Sequence, residues 1–203
     1  MSSSKYIEQA VNEIASLPGV GRKTALRYVL NLLGRSKEDI DRFTNAIADL
    51  NKNVQFCANC HNISDEKICS ICANPGRDSK IICVVEDIRD VMAIEATHQF
   101  KGRYHVLGGK ISPMDGIGPG DLNIGTLIER SANPEVKELI LALSPTMEGD
   151  TTAYFIFKKF EKHGVEISTL SRGVAIGDEL QYADEITLGR SILQRTPYEK
   201  ALQ

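Results

Sequence analysis

The stretch CANCHNISDEKICSIC, Cys57 to Cys72, sets two CxxC pairs eight residues apart. A CxxC turn offers two sulfurs from one knuckle, and tetrahedral Zn2+ takes four thiolates at about 2.3 Å. Cys57, Cys60, Cys69 and Cys72 therefore make a complete ligand set with no open position for a substrate water. One structural Zn2+ per chain is expected. A segment of about 25 residues, with many small polar side chains and no long periodicity, has too little apolar surface to fold unaided, and metal supplies that stability. Redox or incidental thiols are the competing reading, and two pairs this close weigh against it. His61 is a spare ligand that four thiolates do not need. Cys83, inside the apolar run IICVVE, reads as a buried side chain.

The cysteine segment, taken as 54–79, divides the chain into two kinds of sequence. Before it, residues 4–53 read as helical. Ile7, Val11, Ile14 and Leu17 recur at helical spacing. LPGVG then breaks the pattern, and a second helix runs from about Arg22 to Leu33, closed by Gly34. SKED at Ser36–Asp39 has the form of a capping box opening a third helix, with Ile40, Phe43, Ile47 and Leu50 on its inner face.

After the cysteines, strand-like and helix-like segments alternate. IICVVE is a buried strand by its β-branched content. DIRDVMAIEAT is a helix and RYHVL a strand. The loop GGKISPMDGIGPG leads to a helix with Asp121 as the expected N-cap. ELILALS is a strand, TTAYFIFKKFEKHG a helix and EISTLS a strand. This alternation predicts a mostly parallel α/β sheet.

Two stretches carry candidate chemistry. Gly19 and Gly21 precede a helix whose first turn holds Lys23, with Arg27 at i+4. A glycine turn at a helix N-terminus presents backbone N–H groups to an anion. Lys23 and Arg27 on one face suit a phosphate backbone without base specificity. An ordinary helical packing element fits the same residues. The second stretch is LALSPTMEGDTTAYF, Leu141–Phe155, where Glu148 and Asp150 follow a strand. Carboxylates at such a position can hold Mg2+. The plainer reading has them capping a helix that starts near Thr151, favoured by its dipole.

The whole chain sets bounds. It has 203 residues, 42% hydrophobic and 25% charged, with no tryptophan, as in an ordinary globular protein. The net charge is −3, so binding to nucleic acid needs a local basic patch. No positively charged leader with an apolar run opens the sequence, and no apolar segment reaches the ~20 residues that span a bilayer. A cytoplasmic protein without membrane association is expected. No GxxxxGK[ST] loop is present, so nucleotide hydrolysis has little support.

The order of these features resembles one family. A helix, LPGVG and a second helix resemble a helix-hairpin-helix motif. Four cysteines follow, then a strand ending in Glu86, then GGKISPMDGIGPGDLNI, SPTMEGDTTAYFI and TLSRGVAIGDELQYADEITLGRSI. Over almost the entire chain this resembles the RecR family of bacterial recombination mediators. The resemblance implies a multidomain α and α/β protein with four parts. These are a helix-hairpin-helix region (1–53), a four-cysteine zinc finger (54–79), a Toprim domain with a mostly parallel α/β sheet (80–175) and a C-terminal oligomerisation segment (176–203). It also implies a ring-shaped homotetramer around DNA. That ring works with RecO, and in many bacteria RecF, to load RecA onto gapped DNA coated by single-strand binding protein. By the same analogy Gly19, Gly21, Lys23 and Arg27 form the DNA contact.

The Toprim resemblance pairs Glu86 with Glu148 and Asp150 as a partner- or Mg2+-binding set. Catalytic relatives carry DxD where this chain has Glu148-Gly149-Asp150, and the extra methylene moves one carboxylate outward. None of the tyrosines lies in a motif tied to strand cleavage, although a nuclease could use metal-bound water instead. Binding without turnover ranks first, helix capping second, and a metal-dependent nuclease or phosphotransfer enzyme is the alternative. Asp178, Glu179, Asp184 and Glu185 read as a solvated or inter-subunit face.

Overall fold

The computed structural model describes residues 4–161 and 163–197. The chain divides into two compact units, Met1–Val54 and Gln55–Gln203. The first is helical. Helix α1 spans Lys5–Ala15, α2 Arg22–Leu33 and α3 Lys37–Asn53. Val11 of α1 meets Ala25 and Val29 of α2, and these three buried residues, rimmed by Ile7, Ile14 and Val20, form the unit's core. Leu17 lies beyond α1 and is exposed, so the expected apolar stripe ends one turn early. Pro18 and Gly19 explain why. Val20 N–H donates to Leu17 C=O across them, and Gly19 has φ +77°. Proline at the second and glycine at the third position is the type II turn pattern, which requires positive φ at that glycine. The Ser36 hydroxyl accepts from Asp39 N–H, which supplies the N-cap half of the expected box. Phe43, Ile47 and Leu50 are exposed, and α3 buries no residue, so its apolar face is not an inner face among the described residues.

The second unit opens on a two-stranded antiparallel ribbon, β1 Gln55–Phe56 with β2 Ile63–Ser64, followed by the short helix α4, Ser70–Ala73. A four-stranded, wholly parallel sheet follows: β3 Asp78–Val85, β4 Gly102–Val106, β5 Glu138–Ala142 and β6 Glu166–Thr169. Its spatial order is β4-β3-β5-β6. The connecting helices are α5 Ile88–Ala96, α6 Ile124–Ser131 and α7 Met147–Phe160, and α8 Glu185–Leu193 comes last.

Strand alternation distributes the core over both sheet faces. Ile82, Val84, Leu139 and Leu141 point to one side, against Leu127 of α6 and Ile156 and Phe160 of α7. Cys83 and Val85 point to the other, against Val91, Ile88 and Ile94 of α5. Burial pushes the Cys83 thiol up to about 12, so it behaves as an apolar core residue.

Three differences from the sequence reading concern helix starts. Asp121 sits in a 3-10 turn, where its carboxylate accepts from Gly118 N–H, and Asn123 takes the N-cap position of α6. Helix α7 begins at Met147 instead of near Thr151, with the Thr146 hydroxyl accepting from Gly149 N–H. Glu148 and Asp150 therefore lie inside the first turn, near the helix dipole's positive end, and the cap is a threonine.

The two edges of the sheet differ. On β4 several outward groups are taken. Val106 N–H donates to Cys60 C=O at 2.8 Å. Val106 C=O accepts from the Asn123 amide at 3.0 Å, and Tyr104 C=O from Arg130 at 2.6 Å. At the other end β6 pairs only with β5 among the described residues.

Candidate functional site

The sulfur atoms of Cys57, Cys60, Cys69 and Cys72 all lie within 4.8 Å of one another, and all four side chains are buried. Cys60 Sγ and Cys69 Sγ are 3.6 Å apart. Four sulfurs at about 2.3 Å from one zinc stand about 3.8 Å apart in a tetrahedron, so the donor set fits Zn2+. Backbone N–H groups of Cys69 and Cys72 point at Cys57 Sγ and Cys69 Sγ, as suits thiolate acceptors. His61, with φ +60°, turns away from the cluster and bonds Thr126 through Nε2 at 2.8 Å. The knuckle is spliced to the sheet through Cys60 C=O and through Arg130, which also reaches Asn59 C=O at 3.3 Å.

In the helical unit, Gly21 is the N-cap of α2 and has no side chain to close the helix's first N–H groups. A Cβ built on Gly19 or Gly21 would meet nothing within 4 Å, so the turn is open to solvent. Gly19 is needed for its positive φ, whereas Gly21, at φ −73°, is in an ordinary conformation. Lys23 and Arg27 are both exposed. Arg22 bonds Asn12 at 2.6 Å and pairs with Glu8 at 3.3 Å. Among the described residues Lys23 and Arg27 have no carboxylate partner, and Arg27 lies only near the Tyr28 ring, 5.7 Å from its centroid. The sequence named Lys23 and Arg27 from their spacing, but nothing in it separated them from Arg22.

The acidic residues collect at the carboxyl end of the sheet. Glu86 follows β3, and the turn Ser144–Thr146 follows β5, its neighbour. The chain leaves β3 for a helix on one face and leaves β5 for a helix on the other. Such a switch point opens a crevice between adjacent strands, where α/β sheets bind ligands. Glu86 Oε1 accepts from Ser144 N–H at 2.6 Å. Gly149 makes this approach possible, since a Cβ there would sit 1.9 Å from Ser144 C=O.

Two cations that the sequence reading did not single out join the acids. Lys110 Nζ is 4.0 Å from Glu86 Oε2 and donates to Thr146 Oγ1 at 3.4 Å. Arg172 bonds Asp150 at 2.6 Å, which holds that carboxyl below its ordinary value. Glu148 is also held low, first by its own backbone N–H, then by Thr146 and Lys110. The glycine-rich loop is fastened to α7 by Ile111 N–H donating to Thr152 Oγ1 at 2.9 Å. The Toprim fold implies Mg2+ at these acids. Among the described residues, however, only the four cysteines bring three or more metal-competent side chains within 4.8 Å. In the C-terminal segment Asp184 caps α8 by accepting from Thr187 N–H, while Asp178, Glu179 and Glu185 are exposed.

Open helical hairpin, closed cysteine knuckle and parallel sheet with a carboxylate switch point together define a multidomain Toprim protein with a zinc finger. Family models match the same succession of parts. They are described as RecR, helix-hairpin-helix at residues 7–50, RecR, four-cysteine zinc finger domain at 54–74, Toprim domain at 80–171 and RecR, C-terminal at 173–196. A Recombination protein RecR of Porphyromonas gingivalis is 58% identical over 201 residues, 99% of this chain and 97% of its own length. That of Parabacteroides distasonis is 61% identical over 195 residues, 96% and 94% of the two chains. That of Flavobacterium johnsoniae is 58% identical over 201 residues, 99% and 98%. The chain belongs to the RecR family.

Proposed function

We propose that this protein is a DNA-binding mediator of recombinational repair that performs no reaction of its own. The observation that carries the reading is the pair Lys23 and Arg27, exposed beside an open glycine turn and free of carboxylate partners among the described residues, while neighbouring Arg22 is neutralised. Two unpaired cations beside unsatisfied helix N–H groups attract phosphate and leave base identity unread. Gapped DNA, with junctions of single and double strand, is the substrate surface this suits. On the family reading, the protein acts with RecO and RecF to load RecA onto gaps coated by single-strand binding protein. It does so as a ring-shaped homotetramer in the cytoplasm. The exposed apolar faces of α3 and α8 support self-association, because neither helix buries a residue among the described residues. No described helix is long and apolar enough to cross a membrane. Zinc is the structural cofactor, held by Cys57, Cys60, Cys69 and Cys72. Glu86, Glu148 and Asp150 serve as a face for a basic partner, for which RecO is the candidate.

The test is DNA binding across a salt series. Each phosphate contact contributes a slope of about −0.9 in log K against log salt on duplex DNA, so Lys23→Ala plus Arg27→Ala should make the slope shallower by about 1.8. A double variant that binds like wild type at every salt concentration removes the assigned face. The competing reading, a Toprim nuclease with Mg2+ at the acids, is favoured by their place at the switch point. Cleavage of labelled gapped DNA with Mg2+ or Mn2+, abolished by Asp150→Asn, would establish it instead.

A further inference from the structure

We infer that Lys110 and Arg172 take the place of a divalent metal at the Toprim acids, so that the protein's own cations neutralise the site and keep Mg2+ out. The inference rests on the reading of this domain as a binding module without turnover, and it supplies a physical reason for that reading.

Glu86 has an occupant on each oxygen. Oε1 accepts from Ser144 N–H at 2.6 Å, and Oε2 faces Lys110 Nζ at 4.0 Å. The lysine reaches across the crevice to Thr146 Oγ1, 3.4 Å away, at the start of the helix that carries Glu148 and Asp150. Its ammonium therefore stands between the carboxylate after β3 and the helix start after β5. Glu86 and Asp150 are the residues that would hold a metal shared by the two acidic motifs, and the ammonium would compete with it for Glu86. Asp150 is held separately by Arg172 at 2.6 Å, with Arg172 largely shielded from solvent at 27% side-chain exposure. Three carboxylates thus face two fixed positive charges.

Mg2+ requires oxygen ligands at about 2.0–2.1 Å in a near-ideal octahedron and gives up its water reluctantly. A divalent ion that close to Glu86 Oε2 would crowd the Lys110 ammonium, which repels it, and would still lack Asp150. Both cations come from elements beyond the two acidic motifs: Lys110 from the glycine-rich loop and Arg172 from the segment after β6. The fold supplies its own counter-ions from outside the acidic motifs.

The experiment is Mn2+ binding to the full-length, zinc-loaded protein, followed by the paramagnetic resonance of free Mn2+. Four proteins are compared: wild type, Lys110→Met, the double variant Lys110→Met plus Arg172→Met, and Glu86→Gln. Wild type should show no uptake beyond that of Glu86→Gln at Mn2+ concentrations on the order of 1 mM. The double variant should bind at least about tenfold more tightly than wild type, with Lys110→Met between them. Wild-type uptake that Glu86→Gln removes would overturn the inference, and that result needs no destabilised variant. Folded charge-removed variants as silent as wild type would overturn it too, because the cations would not be what excludes the metal. Neither outcome touches the mediator reading, which is tested separately by the salt series on the Lys23 and Arg27 variant and by the search for Asp150-dependent DNA cleavage.

Discussion

Gly149→Ala puts the acidic crevice under direct mechanical test. The position is helical, so by propensity alone alanine should stabilise α7 by about 1 kcal/mol. The structure predicts the opposite sign. The new methyl carbon would lie 1.9 Å from Ser144 C=O and 3.5 Å from Glu86 Oε1. Non-bonded heavy atoms settle at about 3.5–4.0 Å, and the obstructing atom is backbone, so the turn after β5 must move by more than about 1 Å. Overpacking of this kind costs about 1–3 kcal/mol. The same movement pulls Ser144 N–H from Glu86, a hydrogen bond to a carboxylate whose side chain is only 14% exposed, adding about 1.5–3 kcal/mol. The combined loss is about 2.5–6 kcal/mol, which is roughly two to four powers of ten in an equilibrium constant. Amide hydrogen exchange along β5 reads this directly, with the amides of α1 and α2 as reference from the other unit. Protection at Leu139–Leu141 that falls less than about tenfold, or rises, would refute the close approach of the turn and the helix.

Other perturbations address the rest of the second unit. Metal analysis should find one zinc per chain, and Cys69→Ala should abolish it while Val106 N–H loses exchange protection, because its acceptor Cys60 C=O belongs to the knuckle. His105 is buried and pushed down to about 4, chiefly by desolvation, so the unfolded chain binds the extra proton. Stability should fall as pH drops from about 6.5 to about 4, by roughly 3 kcal/mol at most. Denaturant titrations of His105→Asn should lack that component, zinc loss being common to both proteins. Arg77 clasps Glu95, which also accepts from Tyr104 Oη at 2.7 Å. Arg77→Ala should cost about 2–3 kcal/mol at neutral pH, as measured by urea unfolding. The Arg77 bond leads in holding Glu95 below its ordinary value. The loss should therefore be full above about pH 4.3 and fade as pH falls through the lowered value of the folded state.

What the sequence disclosed follows from the range of the forces involved. Some local signals were dependable, though the expected cap at Asp121 was not. Ser36 caps α3, Gly34 follows α2, and the β-branched run around Cys83 is a buried strand. The four cysteines were legible because ligand number and spacing leave few alternatives, and they do converge. Periodicity identified the apolar face of α3 but not what covers it, and within the chain nothing described does. The start of α7 was misplaced by four residues because SPTMEGD contains a proline, a glycine and two acids, all ordinary loop residues. Thr146 is the cap that organises them. Lys110 and Arg172 were invisible as partners of Glu86 and Asp150, since they lie 24 and 22 residues away and meet them only after folding.

The unequal edges of the sheet have a consequence for solubility. An unpaired strand edge is a template for another chain. With β4 guarded by the knuckle, Asn123 and Arg130, β6 is the more open edge among the described residues. Two sheets that met through β6 would have only the guarded β4 edges left, which hinders further growth by strand addition. Stripping the zinc would release the knuckle's share of the β4 side, the Val106 N–H, while Asn123 and Arg130 still cover their carbonyls. Chelation should therefore weaken the guard on the β4 edge at one backbone group and leave the rest of it in place, so zinc and α6 share the work of keeping that edge from recruiting another strand.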